Sequence, residues 1–146
     1  MVTVRRTENT DQTDLYSLLK ARLPEDRYYL AAELSLDEGE YYPDITVLNR
    51  EKITVLADGY LEFDEQDPLT VIAVVEAKAT GTNVGRGSQH IGQLVEYMFS
   101  DALVCRQGIL TNFADVYSVN TLYHQHEHIS LGSIEEVADY ICEICE

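Results

Sequence analysis

The sequence predicts an α/β fold, a small mixed β-sheet flanked by helices. Three observations carry that expectation. Short runs rich in Val, Ile, Leu and Tyr alternate along the chain with segments whose apolar residues recur at helical spacing. Gly, Pro, Asp and Asn punctuate the boundaries between them. The length of 146 residues with 45% hydrophobic content suits one compact domain, 1–146, whose core needs no disulfide support.

The elements follow in order and show no internal repeat. Thr10 or Asp11 can cap a helix whose apolar positions Leu15, Leu18, Leu19 and Leu23 stop at Pro24. Tyr28 to Leu36 reads as a strand, and Glu38-Gly39-Glu40 turns the chain into a second strand starting at Asp44. Ile53 to Leu56 and Tyr60 to Phe63 flank Asp58-Gly59 as a hairpin. The acidic turn 64–68 leads to a central run, Val71 to Val75, that closes on Glu76. A helix spans 88–99, with Ile91, Leu94, Val95 and Met98 on its apolar stripe. Strands follow at Gly108 to Thr111, Val116 to Val119 and Tyr123 to Leu131. Ser133-Ile134-Glu135-Glu136 is a capping box that opens a last helix.

No stretch approaches the roughly 20 apolar residues that span a bilayer, and the N-terminus lacks the apolar core of a signal peptide. An odd set of cysteines, Cys105, Cys142 and Cys145, argues against a disulfide framework. The expectation is a soluble protein of the cytoplasm with no membrane partner.

The chemistry lies at strand ends. Pro43-Asp44 opens one β-like run, and Glu76-Ala77-Lys78 closes another. Mg²⁺ prefers oxygen ligands and binds through one or two carboxylates while keeping several waters, so Asp44 and Glu76 can hold an ion against a phosphate. Lys78 lies two residues beyond Glu76, and strand alternation points both side chains to one face. An ammonium there can orient an attacking water or offset charge on the phosphorus centre. On the following helix Gln93 and Tyr97 lie four apart, with Gln89, on the polar face.

This order resembles the PD-(D/E)XK nuclease superfamily, in the branch with a Gln-x-x-x-Tyr helix after the Glu-x-Lys strand. The resemblance narrows to the N-terminal nuclease domain of type I restriction subunits, over roughly residues 7 to 120. It is carried by Thr7-Glu8, Glu33, Asp44, Val74-Val75-Glu76-Ala77-Lys78, Val84-Gly85-Arg86-Gly87-Ser88-Gln89, Gln93, Tyr97 and Gly108-Ile109-Leu110-Thr111-Asn112. It implies a restriction-endonuclease-like core and a Mg²⁺-dependent nuclease, with Mn²⁺ as a substitute, that hydrolyses DNA by a metal-activated water. Asp44 and Glu76 are then the metal ligands, Lys78 acts on water or phosphate, and Gln93 with Tyr97 orients the site. Glu8 matches a helix-1 acid beside the metal, although an acid near a helix N-terminus is also favoured by the dipole. Glu33, amid Leu30-Ala31-Ala32 and Leu34, needs a cation or hydrogen-bond partner. Arg86 on the glycine-rich loop is the candidate phosphate contact, with Arg50 and Lys52 as further nearby cations.

Two departures stand beside the resemblance. Nothing matches Gly-x-x-x-x-Gly-Lys-Ser/Thr, so the motor of type I subunits is missing. Either the chain is a free-standing nuclease or it is one domain of something larger. Ten Lys and Arg against 26 Asp and Glu give a net charge of −16, whereas nucleic-acid binders usually carry a basic footprint. A high-salt habitat, a homodimer or partner subunit that grips DNA, or plain solubility would each account for the acidity. So would a rival function: a nuclease-fold module that binds or mimics nucleic acid in a larger complex without cutting.

Two further constellations remain. His124, His126 and His128 alternate, so a strand would put all three on one face, where they could bind Zn²⁺ or Ni²⁺ or simply be solvated. Cys142 and Cys145 have Cys-x-x-Cys spacing but lack a second ligand pair.

Overall fold

The computed structural model describes residues 2–5, 13–36, 40–79, 81–85, 87–99 and 104–146. In chain order the elements are β1 (Val2–Arg5), α1 (Thr13–Arg22), β2 (Tyr28–Ala32), β3 (Ile45–Asn49), β4 (Ile53–Val55), β5 (Tyr60–Phe63), β6 (Val71–Ala77), α2 (Gln89–Met98), β7 (Cys105–Thr111), β8 (Asp115–Asn120), β9 (Gln125–Ser130) and α3 (Ile134–Cys145). Six strands form a mixed sheet in the order β2-β3-β6-β7-β8-β9, and β1-β5-β4 form a second, smaller one. Neighbours in the large sheet are antiparallel except β6 and β7. A parallel pair needs a crossover, and α2 supplies it.

The central strands β3, β6 and β7 are buried on both faces, whereas the edge strand β9 is exposed. Ile45, Val47, Ala73, Val75, Ile109 and Val116 face α1 and α3, meeting Leu15, Leu19, Val137, Ala138 and Ile141. Val74, Leu110 and Val119 face the other way, toward Leu94 and Met98 of α2 and toward Leu61 and Phe63 of the small sheet. Side chains therefore alternate along β6, with 73, 75 and 77 toward α1 and α3 and 74, 76 and 78 toward α2. A register shift between Val47 and Leu48 places Leu48 opposite Val71 and bends the far end of the pair.

Local chemistry matches the elements. Asp58 and Gly59 take φ of 68° and 80°, the left-handed pair that a tight Asp-Gly connection between β4 and β5 requires. Ser133 Oγ accepts from the Glu136 amide, and the Glu136 carboxylate accepts from Gly132 N. The capping box thus closes one residue earlier than the usual reciprocal bond.

Two sequence expectations are corrected. Tyr28 to Leu36 is not one strand: β2 ends at Ala32, because Glu33 turns to φ 50° and only an isolated bridge, Leu36 with Tyr41, continues the pairing. The strand β1 was not expected; it pairs antiparallel with β5 and extends the predicted hairpin to three strands. The expected cap at Thr10 or Asp11 and the turn at 38–39 lie outside the described residues. Among the described residues no helix is long and apolar enough to cross a membrane.

α2 rests directly on β7. A Cβ at Gly108 would lie 2.7 Å from Met98 Cγ and Sδ and 3.2 Å from Leu94 Cδ1. Gly108→Val is therefore expected to push α2 off the sheet and destabilise the fold by about 1–3 kcal/mol, read as a lower midpoint in urea. An unchanged midpoint would contradict this packing.

Candidate active site

The site follows from one register. Ile45 on β3 is the antiparallel partner of Val75 on β6, so the next position outward sets Asp44 beside Glu76. Opposite residues of an antiparallel pair share a face. Asp44 Oδ2 accepts from the Ala77 amide at 2.7 Å, which fixes the carboxylate across the end of β6. Lys78 N donates to Thr111 O at 2.8 Å and carries the β6–β7 ladder one residue further. Lys78 thereby keeps the strand alternation and falls on the face of Glu76.

α2 closes the other wall. Its cap, Ser88 Oγ, accepts from the His90 amide at 3.2 Å. The helix turns His90, Gln93, Leu94 and Tyr97 toward the end of the sheet, where they line a cavity of about 210 Å³ together with Glu76, Lys78 and Leu110. Tyr41 and Tyr42, the two residues before Pro43, complete the lining. Tyr41 is 4% exposed. Its ring stacks on Tyr97 with centroids 3.9 Å apart and planes 9° from parallel, and its backbone is held to Leu36 by reciprocal bonds of 2.7 and 3.1 Å.

Burial and charge act together on Glu76. Desolvation pushes its carboxyl up to about 7, the adjacent Asp44 charge adds to the rise, and the Tyr41 hydroxyl and Lys78 partly oppose it. The Tyr41 phenol is itself driven upward, first by burial and then by the Glu76 charge. The hydroxyl faces the Glu76 carboxyl and interacts with it both through charge and as a weak hydrogen-bond donor, short of a bond of regular geometry.

The loop above the site is held by Asn112. This residue is 5% exposed; its Nδ2 donates to Thr82 O at 2.8 Å, while its Oδ1 accepts from the amides of Ala114 and Asp115. Gly85 packs against the imidazole of His128 so closely that a Cβ would lie 2.8 Å from the ring.

Of the residues expected from sequence, Glu76, Lys78, Gln93 and Tyr97 line one cavity, and Asp44 adjoins it. Glu33 continues the row, since its amide donates to Asp44 O at 3.0 Å. Its side chain is not among the groups lining the cavity, and its left-handed backbone explains why it leaves the strand alternation. Glu8 and Arg86 lie outside the described residues. Arg50 and Lys52 are at the opposite end of β3 from Asp44, where Arg50 covers the Tyr29 ring and Lys52 pairs with Asp67 at 3.5 Å. They are not site cations.

Comparison of the chain with models of known protein families and with curated proteins finds no match.

The other constellations do not assemble. Among the described residues no three His, Cys, Asp or Glu side chains gather closely enough to hold a metal. His124 sits in a turn at φ 53° and stacks on Phe99, whereas His126 Nδ1 meets the Tyr117 hydroxyl at 2.7 Å. Cys145 is a core residue of α3 whose thiol is pushed up to about 12 by burial, and burial also raises Cys142. Neither is the activated thiolate of a redox pair.

Sequence reasoning missed Tyr41, Tyr42 and His90. A signal existed for each: the tyrosines immediately precede Pro43-Asp44, and His90 is three residues before Gln93, on the same helix face.

Glu76 makes the fold pH-dependent. Its folded value near 7 exceeds the ordinary 4.5, so between those values the unfolded chain holds fewer protons than the folded one. Stability falls as pH rises through that window, by about 3 kcal/mol at completion. Glu76→Gln is accordingly expected to be more stable than wild type at pH 8 by up to that amount, with the gap closing toward pH 4.5. Parallel urea titrations at several pH values test this; a gap independent of pH would contradict it.

Proposed function

We propose that the chain is a Mg²⁺-dependent nuclease that hydrolyses DNA phosphodiester bonds, in a restriction, defence or DNA-processing role. The observation that carries this reading is the meeting of Asp44 and Glu76 at the end of β6, with Lys78, Gln93 and Tyr97 around the same cavity. The order of these residues along the chain, similar to that of PD-(D/E)XK nucleases, supports it independently of the geometry.

The donor set suits the metal. Two carboxylates with open space beside them match a hard cation that takes few protein oxygens and retains water, so Asp44 and Glu76 would hold Mg²⁺, or Mn²⁺ in its place. When bound, such an ion polarises a phosphoryl oxygen and makes water more acidic. Lys78 supplies the fixed positive charge toward which the phosphate's developing charge is drawn. The Gln93 amide and Tyr97 phenol fix the orientation of the phosphate, with Tyr97 braced by Tyr41. Glu76 would give up its proton on binding such an ion. Overall the phosphorus gains a bond to water oxygen and loses its bond to the leaving oxygen, which takes up a proton.

Among the described residues Lys78 is the only cation lining the cavity, and the chain carries −16. We therefore infer that a partner subunit or a second copy holds most of the DNA. The three unpaired thiols are in keeping with a cytoplasmic setting. The same acidity favours a second reading, a nuclease-fold module that binds or mimics nucleic acid without cutting.

Cleavage of linear, nicked and supercoiled DNA with Mg²⁺ or Mn²⁺, at low and at molar salt, separates the two. The nuclease reading expects Lys78→Ala to lower the rate by about 10²-fold or more, and Asp44→Asn to abolish metal-dependent cutting. Wild type and Lys78→Ala behaving identically under every condition would sink it. Calorimetric Mg²⁺ titration is expected to show binding that tightens as pH rises through about 7, with up to one proton released per ion, because Glu76 must ionise. Binding with no proton release at pH 6.5 would remove Glu76 from the ligand set.

A further inference from the structure

Among the described residues four buried side-chain polar atoms lack a hydrogen-bond partner: Tyr41 Oη, Thr46 Oγ1, Thr70 Oγ1 and His90 Nδ1. Two of their owners, Tyr41 and His90, line the candidate cavity, and the two threonines do not. Tyr41 Oη has only its coupling to Glu76, short of a regular hydrogen bond; a buried polar atom left without a good partner costs about 1–3 kcal/mol, so two on one small wall ask for a ligand that satisfies both.

Tyr41 cannot turn away, and the helix places His90. The Tyr41 ring is held by its stack on Tyr97 and its backbone by the bridge to Leu36, and the residue is 4% exposed. His90 is anchored in the first turn of the ten-residue α2, with its amide bonded to the Ser88 cap. That turn presents the positive end of the helix dipole to the same wall. Lys78 adds a cation, which offsets the Glu76 carboxylate.

We propose that the Tyr41 hydroxyl and the His90 imidazole form an oxyanion subsite that takes a phosphoryl group of the substrate. The assignment rests on the nuclease reading for its role in cleavage, but the subsite binds phosphate without metal. A phosphoryl oxygen only accepts, so both protein groups donate: Tyr41 through Oη–H and His90 through Nδ1–H, which fixes the His90 tautomer. One tetrahedral group offers enough oxygens to meet both donors at once. The cavity, about 210 Å³, has room for a phosphoryl group. That group is either a phosphomonoester at a strand end or an internal diester.

The test uses the full chain without metal, with its histidine rings labelled for NMR. Deoxyadenosine 5′-monophosphate is titrated as the monoester and a thymidine dinucleoside monophosphate as the diester. Of the four histidines, His90 alone is expected to shift saturably, and its Nδ1 is expected to report a proton. Tyr41→Phe and His90→Gln should each weaken binding about tenfold. Binding of the monoester alone assigns the subsite to strand ends; binding of both assigns it to internal phosphates. Shifts confined to His124, His126 and His128, or wild-type affinity in both variants, would overturn the proposal. His90→Gln alters a helix surface and keeps the test valid if Tyr41→Phe fails to fold. The nuclease reading stands or falls on cleavage: DNA cutting without His90 perturbation rejects the subsite alone, and His90 binding without cutting rejects the nuclease alone.

Discussion

Everything at the candidate site depends on the antiparallel register between β3 and β6. Pairing Ile45 with Val75 sets Asp44 beside Glu76, and the Asp44 carboxylate then caps the Ala77 amide at 2.7 Å. A slip of one residue would send Asp44 to the face packed by α1 and α3, because strand side chains alternate. The buried residues Ile45, Val47, Ala73 and Val75 prevent that slip, since they would have to exchange places with Thr46 and Val74 across the sheet. The hydrophobic pattern that builds the core is thus also the device that aligns two carboxylates 32 residues apart in the chain.

That alignment has an electrostatic cost. Two carboxylates side by side, one of them largely desolvated, raise the Glu76 carboxyl to about 7. Tyr41 and Lys78 offset part of the penalty but leave Glu76 poised to exchange its proton near neutrality. The surroundings are rigid where this tension sits. Tyr41 is locked against Tyr97, α2 rests on Gly108, and Asn112 ties the β7–β8 turn to Thr82. Preorganisation of this kind keeps charged groups in place without the core relaxing to relieve them.

Much of the fold was legible because its signals are local. Helical spacing in 88–99, the Asp58-Gly59 turn and the capping box each name an element without knowledge of its partners, and the structure has an element at each. β1 was not legible: four residues alone carry too little pattern, and the strand exists only through pairing with β5. Glu33 shows the same limit from the other side, because its apolar neighbours read as strand while its left-handed φ depends on how the chain leaves β2. Asp44, Glu76, Lys78, Gln93 and Tyr97 were found through their spacing and resemblance. Tyr41 and His90 were not, since their importance comes from a stack and from unpaired buried atoms, neither of which a linear pattern encodes.

The acidity of the chain stands against the proposed cutting site, which has few cations of its own. Lys78 stands alone as a described cation at the cavity, and the aromatic-covered cations Arg27 and Arg50 belong to the other end of the sheet. The central claim is narrower than any activity: Asp44 and Glu76 jointly bind one divalent cation. Crystals grown with Mn²⁺ and measured at the manganese absorption edge test it most directly. An anomalous peak is expected within ligand distance of both carboxylates and is expected to be lost in Glu76→Gln. A peak elsewhere, or none at saturating Mn²⁺ above pH 7, would contradict it.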